Sequence, residues 1–473
     1  INSSQSAGER KQVADDIRDG NLRLLYISPE RLVQARTVDF IKSSNVSFLA
    51  IDEAHCISEW GHDFRPEYRQ LRLLRDELPD IGIHAFTATA TEQVRADIVV
   101  QLGLRKPEVL VGSFDRPNLI YRTERMAGRL AQIREVIDRH KRESGIIYCT
   151  SRQAVDDLAE QLSGLGHKAL PYHAGMDATA RRRNQEAFIS ESMDIIVATV
   201  AFGMGIDKSN VRYVIHAGMP KALENYQQEA GRGGRDGLEA ECVLYYSAGD
   251  YVRWKRMIDE AGGEARATAL RSLQAMSDYA QGVTCRHRVL VQYFGQAFEP
   301  ESCNACDVCL SELDLIDEPL VTGQKILSSI YRQSEGGRTF GGEYTAMILK
   351  GSRDQRIVEN GHDQLSTHGL LSDQSIKAIR SWIDQLQSQG FIDRSDEYST
   401  LSLSKSGWKV LRGDLTPRLL KPADTQKKET SRKARAASNW EGVDRDLFDD
   451  LRTFRHEIAI EAGIPAYVVF TDE

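Results

Sequence analysis

The chain has 473 residues, 41% hydrophobic and 27% charged, with a formal net charge of −8. At about 150 residues per domain this leaves room for about three domains. No apolar run of about 20 residues and no basic-apolar leader occurs, so no membrane span or secretion signal is expected. The negative total speaks against a globally basic nucleic-acid binder and leaves room for local basic faces. The chain opens on Ile1 and stops at Glu473, and a fragment trimmed at one end or both is expected.

Short apolar runs alternate with helical stretches through the first half. The runs at residues 24–27, 48–51, 83–86, 146–148, 195–198 and 213–216 each end in polar residues. Continuous apolar strands separated by helices predict a parallel α/β sheet. Its ligands bind at the carboxyl ends of the strands. Turn formers at 112–118, with Pro117 disfavouring helix before it, mark a boundary between two α/β lobes. The strand pattern stops near Tyr251. A helical stretch then leads into four cysteines. Beyond it, Ile376, Ile379, Trp382, Ile383 and Leu386 form one apolar helix stripe. Gly390 ends that helix, and two short strands at 391–392 and 401–403 predict a hairpin, together a winged-helix module. Residues 416–440 hold seven Lys/Arg against two acids and read as a flexible basic linker. A last stripe of Leu447, Leu451, Phe454 and Ile458 has little left to pack against.

Seven cysteines, an odd and sparse number, exclude a disulfide scaffold. Cys56, Cys149 and Cys242 read as buried hydrophobes. Cys285, Cys303, Cys306 and Cys309 have the spacing of a structural zinc site, with an iron–sulfur cluster as the other reading. Cys285 is expected from a preceding helix.

Four further constellations carry chemistry. Asp52-Glu53-Ala54-His55 follows an apolar strand, where one carboxylate can hold hydrated Mg²⁺ and the next can orient water. Gln228-Glu229-Ala230-Gly231-Arg232-Gly233-Gly234-Arg235 pairs two guanidinium groups with pliable backbone, suited to phosphate. Gly203-Met204-Gly205-Ile206-Asp207-Lys208 allows tight backbone, and Asp207 can orient the arginines or a ribose. Trp60-Gly61-His62-Asp63-Phe64-Arg65-Pro66 offers aromatic and guanidinium faces that stack on unpaired bases.

The strand followed by Asp52-Glu53-Ala54-His55, the Trp60–Arg65 loop, Thr87-Ala88-Thr89, the glycine stretch and the arginine stretch come in the order of superfamily 2 helicases. The stretches at 54–66 and 198–208, with the cysteine cluster, closely resemble the RecQ DNA helicases. The resemblance implies an α/β fold of two RecA-like parallel-sheet lobes, then a helical zinc-binding subdomain and a winged-helix domain. It places the first lobe at 1–113, the second at 114–250, the zinc subdomain at 251–318, the winged helix at 319–415, the linker at 416–440 and the start of an HRDC domain at 441–473. It implies an ATP-dependent 3′-to-5′ DNA helicase of repair, recombination and replication, located inside the cell, in the cytoplasm or nucleoid of a bacterium or the nucleus of a eukaryote. Single-stranded, duplex and forked DNA and a single-stranded-DNA-binding protein are the implied partners.

By the same resemblance Asp52 holds Mg²⁺ and Glu53 handles the attacking water. His55 and Thr87, Ala88 and Thr89 couple nucleotide state to lobe movement, and Gly205, Asp207 and Gln228 belong to the nucleotide site. Arg232 and Arg235 match the last helicase motif, with Arg235 the arginine finger. Gly233 stands where the family usually has Ala and is expected to loosen the turn. Trp60, His62, Phe64 and Arg65 sense single-stranded DNA, Thr199 touches a DNA phosphate, and Arg353 and Arg356 face duplex phosphates. The hairpin tip at Asp396-Glu397-Tyr398 is a short, acidic candidate for a strand-separating wedge. No G-x-x-x-x-G-K-[ST] occurs. In RecQ relatives that phosphate cradle lies upstream of this start, so the given fragment is expected to bind ATP poorly and not to unwind. An RNA helicase and a non-enzymatic DNA-binding or strand-annealing protein without the Walker lysine are the rival readings.

Overall fold

The computed structural model describes residues 7–32, 34–44, 46–61, 63–203, 207–263, 265–335, 337–395, 400–421 and 444–472. His62, Gly205, the hairpin tip at 396–399 and most of the basic linker lie outside the described residues.

In the first lobe β1 (Phe48–Ile51) and β2 (Gly82–Ala85) pair in parallel, Ile51 opposite Ala85. Apolar stripes on the helices Ala35–Lys42, Arg72–Glu77 and Glu92–Gln101 close over them through Val38, Ile41, Leu74, Val94 and Ile98. The strand expected at 24–27 does not form. Leu24 and Tyr26 are 66% and 81% exposed, and a parallel strand needs both a ladder partner and cover.

The second lobe carries a six-stranded, wholly parallel sheet. Its strands are β3 (Leu119–Arg125), β4 (Ser144–Tyr148), β5 (Ala169–Tyr172), β6 (Ile195–Ala198), β7 (Val211–His216) and β8 (Ala240–Tyr246), in the order β3-β8-β7-β4-β6-β5. The apolar runs at 146–148, 195–198 and 213–216 are central strands, buried on both faces. β3, β5 and β8 went unpredicted because each breaks the apolar pattern. β5 carries Pro171 and takes an edge, where a missing N–H is harmless. β3 and β8 bury charge: Glu241 meets Arg122 at 3.1 Å, Arg139 at 2.5 Å and His140 at 2.8 Å.

From β8 the chain runs through the helices Ala248–Ala261, Arg266–Gln281 and Arg286–Tyr293 to the cysteines. The helix Ile376–Ser388 then packs Ile379, Trp382, Ile383 and Leu386 of its expected stripe against the helices Pro319–Gln333 and Gly342–Lys350, while Ile376 stays exposed. β9 (Ile392–Arg394) and β10 (Leu401–Leu403) form the expected antiparallel hairpin. Residues read as the start of the linker instead finish this unit. Leu419 is fully buried, its carbonyl accepts from Ile316 N–H, and Leu420 C=O accepts from Trp382 Nε1 at 2.8 Å.

The helix Arg445–Ala462 starts on an Asp444 cap and leaves Leu447, Leu451 and Phe454 in solvent. Its polar side docks instead. Arg455, 1% exposed, reaches both Glu191 oxygens at 3.2 Å, and Lys208 and Asn210 join the same carboxylate at 3.2 and 2.7 Å. Burial pushes the Glu191 carboxyl up, but Lys208 and Arg455 outweigh it and hold the group at about 2.

Both ring nitrogens of His140 face carboxylates, Nδ1 to Glu143 at 2.6 Å and Nε2 to Glu241 at 2.8 Å. Burial works against its charge, yet these two partners raise the imidazole from 6.5 to about 9. A raised value means stability fully present below 6.5 and lost as pH climbs through about 9. The thermal midpoint should therefore decline across that window, and His140→Gln should flatten the decline, measured by calorimetry at stepped pH.

Candidate functional site

The acidic pair sits just past β1. Glu53 takes a left-handed backbone (φ 49°), which turns the chain sharply off the strand, and its N–H donates to Asp52 Oδ1 at 2.8 Å. Burial, then the neighbouring Asp52, raises the Glu53 carboxyl above its ordinary value. His55 is buried with Nδ1 2.9 Å from Thr87 Oγ1 and 3.3 Å from Glu53 Oε2. Burial lowers its imidazole to about 4, so it is neutral at physiological pH. Thr89 N–H donates to the same Thr87 oxygen at 3.4 Å, and Ala88 between them is exposed. Asp52, Glu53, His55 and Thr87–Thr89 thus form one group at the carboxyl ends of β1 and β2.

The aromatic loop closes onto this group. A Cβ on Gly61 would come within 2.7 Å of the His55 carbonyl oxygen, so only glycine lets the turn lie there. Arg65 N–H donates to Cys56 C=O at 2.8 Å, and its guanidinium meets Asp63 at 2.9 Å. Trp60 is 44% exposed, and Phe64 stacks under Arg69 at 5.1 Å.

The second lobe brings its arginine loop to the same place. Gln228, near the end of the helix Leu223–Ala230, donates to Glu53 Oε1 at 3.5 Å. Arg232 is buried, and its charge acts on Glu53 to lower that carboxyl. Its Nη2 lies where a Cβ on Gly203 would be, 2.9 Å away, so the glycine stretch and the arginine loop interlock. Arg235 instead pairs with Asp207 at 3.0 Å. Gly233 does not sit in open space. A Cβ there would lie 3.1 Å from that of Ala240, so the glycine lets the turn approach β8 closely.

Sequence reasoning missed the supports of this loop. Tyr148 donates its hydroxyl to Phe202 C=O at 2.8 Å and stacks on His216, whose Nε2 lies 2.8 Å from Glu229. Nothing in their spacing singles them out, because they come from three separate elements.

Other expected contacts lie apart. Thr199 caps the end of β6, accepting from Ala201 N–H at 3.4 Å, beside exposed Val200. Arg353 and Arg356 are exposed at the Asp354-capped helix Gln355–Glu359, and Arg356 lies 5.7 Å over the Tyr344 ring.

The thiol cluster forms. The four Sγ atoms of Cys285, Cys303, Cys306 and Cys309 lie within 4.8 Å of one another. Tetrahedral zinc at Zn–S about 2.3 Å asks for S···S near 3.8 Å. Ala305 and Cys309 N–H groups donate to Cys303 and Cys306 sulfurs at 3.4 Å, and hydrogen bonds from Cys303 and Cys306 lower the Cys285 thiol while the Cys303 thiol is raised in return, as thiols sharing a proton must be. Such a donor set suits a soft divalent ion held for structure. Cys285 arrives, as expected, from a helix that precedes the other three, as the N-cap of Arg286–Tyr293. Cys56 and Cys149, by contrast, are isolated, and burial pushes both up to about 12.

An acidic pair on one lobe thus faces a glutamine and one buried arginine, Gln228 and Arg232, from the other. Family matches run along the chain in agreement: DEAD/DEAH box helicase at 1–97, helicase conserved C-terminal domain at 128–237, RecQ zinc-binding at 248–310 and RQC domain at 320–428. The protein named ATP-dependent DNA helicase RecQ from Pasteurella multocida is 41% identical over 476 residues, all of this chain and 74% of the relative. Its namesakes from Haemophilus influenzae and Bacillus subtilis are 41% and 39% identical, again over the whole chain and 76% and 78% of their own lengths. The chain belongs to the RecQ family of helicases. Among the described residues no helix is long and apolar enough to cross a membrane.

Zinc at the four thiols gives a direct test. One zinc per chain is expected by elemental analysis, and Cys306→Ser should lose it. The thermal midpoint of the zinc-binding unit should fall as well, by about 4–8 °C for each kcal/mol lost in a unit of this length. Iron in place of zinc would overturn the assignment.

Proposed function

We propose that the protein this chain belongs to is an ATP-dependent DNA helicase that moves 3′ to 5′ along one strand and opens duplex or forked DNA in repair, recombination and replication inside the cell. The carrying observation is the contact of Gln228 with Glu53 across the two lobes, with Arg232 acting on the same carboxylate. The names of the relatives support ATP and DNA as substrates.

In this reading ATP binds between the lobes. Asp52 would hold Mg²⁺, which shields phosphate charge, and Glu53, its carboxyl already raised, orients and deprotonates water. Arg235, held by Asp207 in this arrangement, swings to the transferring phosphate as lobes close. Thr87 reports that closure to His55, and the Gly61 turn passes it to Trp60 and the strand beside it. Thr199 holds the tracked strand's phosphate, while Arg353 and Arg356 face the duplex. The domains run close to the expected bounds, except that the winged-helix unit extends through Lys421, with an HRDC-type segment at the end. A single-stranded-DNA-binding protein is its expected partner.

Arg235→Ala in the full-length protein should lower DNA-stimulated ATP hydrolysis by on the order of 10³-fold or more, the scale of an arginine finger. Glu53→Gln should abolish hydrolysis while sparing nucleotide binding. Matched DNA and RNA forks decide the substrate, and equal unwinding of both, or of RNA alone, would sink the DNA reading.

A further inference from the structure

The lobe boundary at 112–118 is no slack hinge. Each of its residues from 114 to 118 except Pro117 is tied to a neighbour distant in sequence, Arg116 and Asn118 sharing the Gly234 carbonyl. Phe114 stacks on Phe294 of the zinc-binding module, ring centroids 4.5 Å apart and 12° from parallel, and its N–H donates to Gln296 Oε1 at 2.9 Å. Asp115 meets buried His287 at 2.6 Å. Asn118 Nδ2 donates to the carbonyls of Gly234 and Leu238 at 2.8 and 2.9 Å.

Arg116 holds the arginine loop itself. Its Nη1 donates to Gly231 C=O at 3.3 Å, and its Nη2 donates to Gly233 and Gly234 C=O at 3.2 and 2.9 Å. The first of these carbonyls belongs to the C-cap of the helix Leu223–Ala230, where a cation is favoured by the helix dipole, and the other two follow in the turn. They also flank Arg232 and precede Arg235. A fork-shaped guanidinium can hold several oxygens at once, whereas a single ammonium is a point charge. Gly234 (φ 52°) brings its backbone so close that a Cβ would sit 2.5 Å from Asn118 Nδ2.

We propose that Arg116 is a positioning residue for hydrolysis, one that fixes the loop bearing Arg232 and Arg235 and, through adjacent Asp115 and His287, makes that fix depend on the zinc-binding module. The proposal rests on the reading that those two arginines serve ATP hydrolysis. Misplacing a reacting group by about 1 Å costs up to about 100-fold in rate. Loosening the loop therefore lowers kcat and leaves ground-state binding alone.

The test measures DNA-stimulated ATP hydrolysis by the full-length protein. Arg116→Ala should lower kcat by roughly 10- to 100-fold with KM for ATP unchanged and zinc content intact. Arg116→Lys, which keeps the charge for folding, should fall short of full rescue. Combined with Arg235→Ala, the Arg116 substitution should cost clearly less than it does alone, because part of its effect runs through Arg235 and only the part through Arg232 remains. Wild-type kcat in Arg116→Ala beside a crippled Arg235→Ala overturns the proposal and leaves the helicase reading standing. So does a raised KM with kcat kept, or an equal further loss in the double variant. Full activity in Arg235→Ala removes the reading that Arg235 serves hydrolysis, and the proposal falls with it.

Discussion

One buried carboxylate holds the architecture together. Asp307 sits among the zinc-site cysteines, yet its bonds run outward: to Arg286 at 2.8 and 3.1 Å and to Thr123 N–H on β3 at 2.9 Å. A carboxylate stripped of water in this way is tolerable only with full hydrogen bonding. That demand joins three pieces distant in sequence, the cysteine loop, the helix Arg286–Tyr293 and the outer strand of the six-stranded sheet. Tyr121 and Cys306 continue the junction as a parallel bridge, with Tyr121 N–H donating to Ala305 C=O at 3.0 Å. The cysteine loop thereby covers an edge that would otherwise offer unpaired backbone to other chains.

Chemistry then gathers where this frame leaves loops free. Both lobes present the carboxyl ends of parallel strands, and both use glycine to bring backbone close. Gly61 lets a turn lie on His55, and Gly203 makes room for Arg232. Neutral, buried His55 meets Thr87 and Glu53 by position and hydrogen bonding, with its charge playing no part at physiological pH.

The central strands were legible because a strand buried on both faces must be apolar throughout, as in β4, β6 and β7. The acidic pair, the arginine loop and the cysteines were legible because their chemistry demands fixed types at close spacing. β3 and β8 were hidden by the charges they bury, since Arg122 and Glu241 read as surface residues until the fold brings them together. The run at 24–27 misled for the opposite reason, being apolar without a partner strand. Arg116 and Tyr148 were illegible as functional candidates. Each serves a loop far along the chain, and Pro117 and Asn118 beside Arg116 signal only a turn.

The strand order carries a consequence for how the lobe is made. β3 is the first strand after the boundary, and its ladder partner β8 is the last strand of the lobe. Pairing at such sequence separation is slow to nucleate, because a long loop must close before any contact rewards it. On the ribosome β3 emerges early and waits, and its other side waits longer still for the cysteine loop. Metal loading and completion of the sheet are thus late events of biogenesis, and a nascent chain stalled before them exposes a half-built edge to chaperones and to its own neighbours.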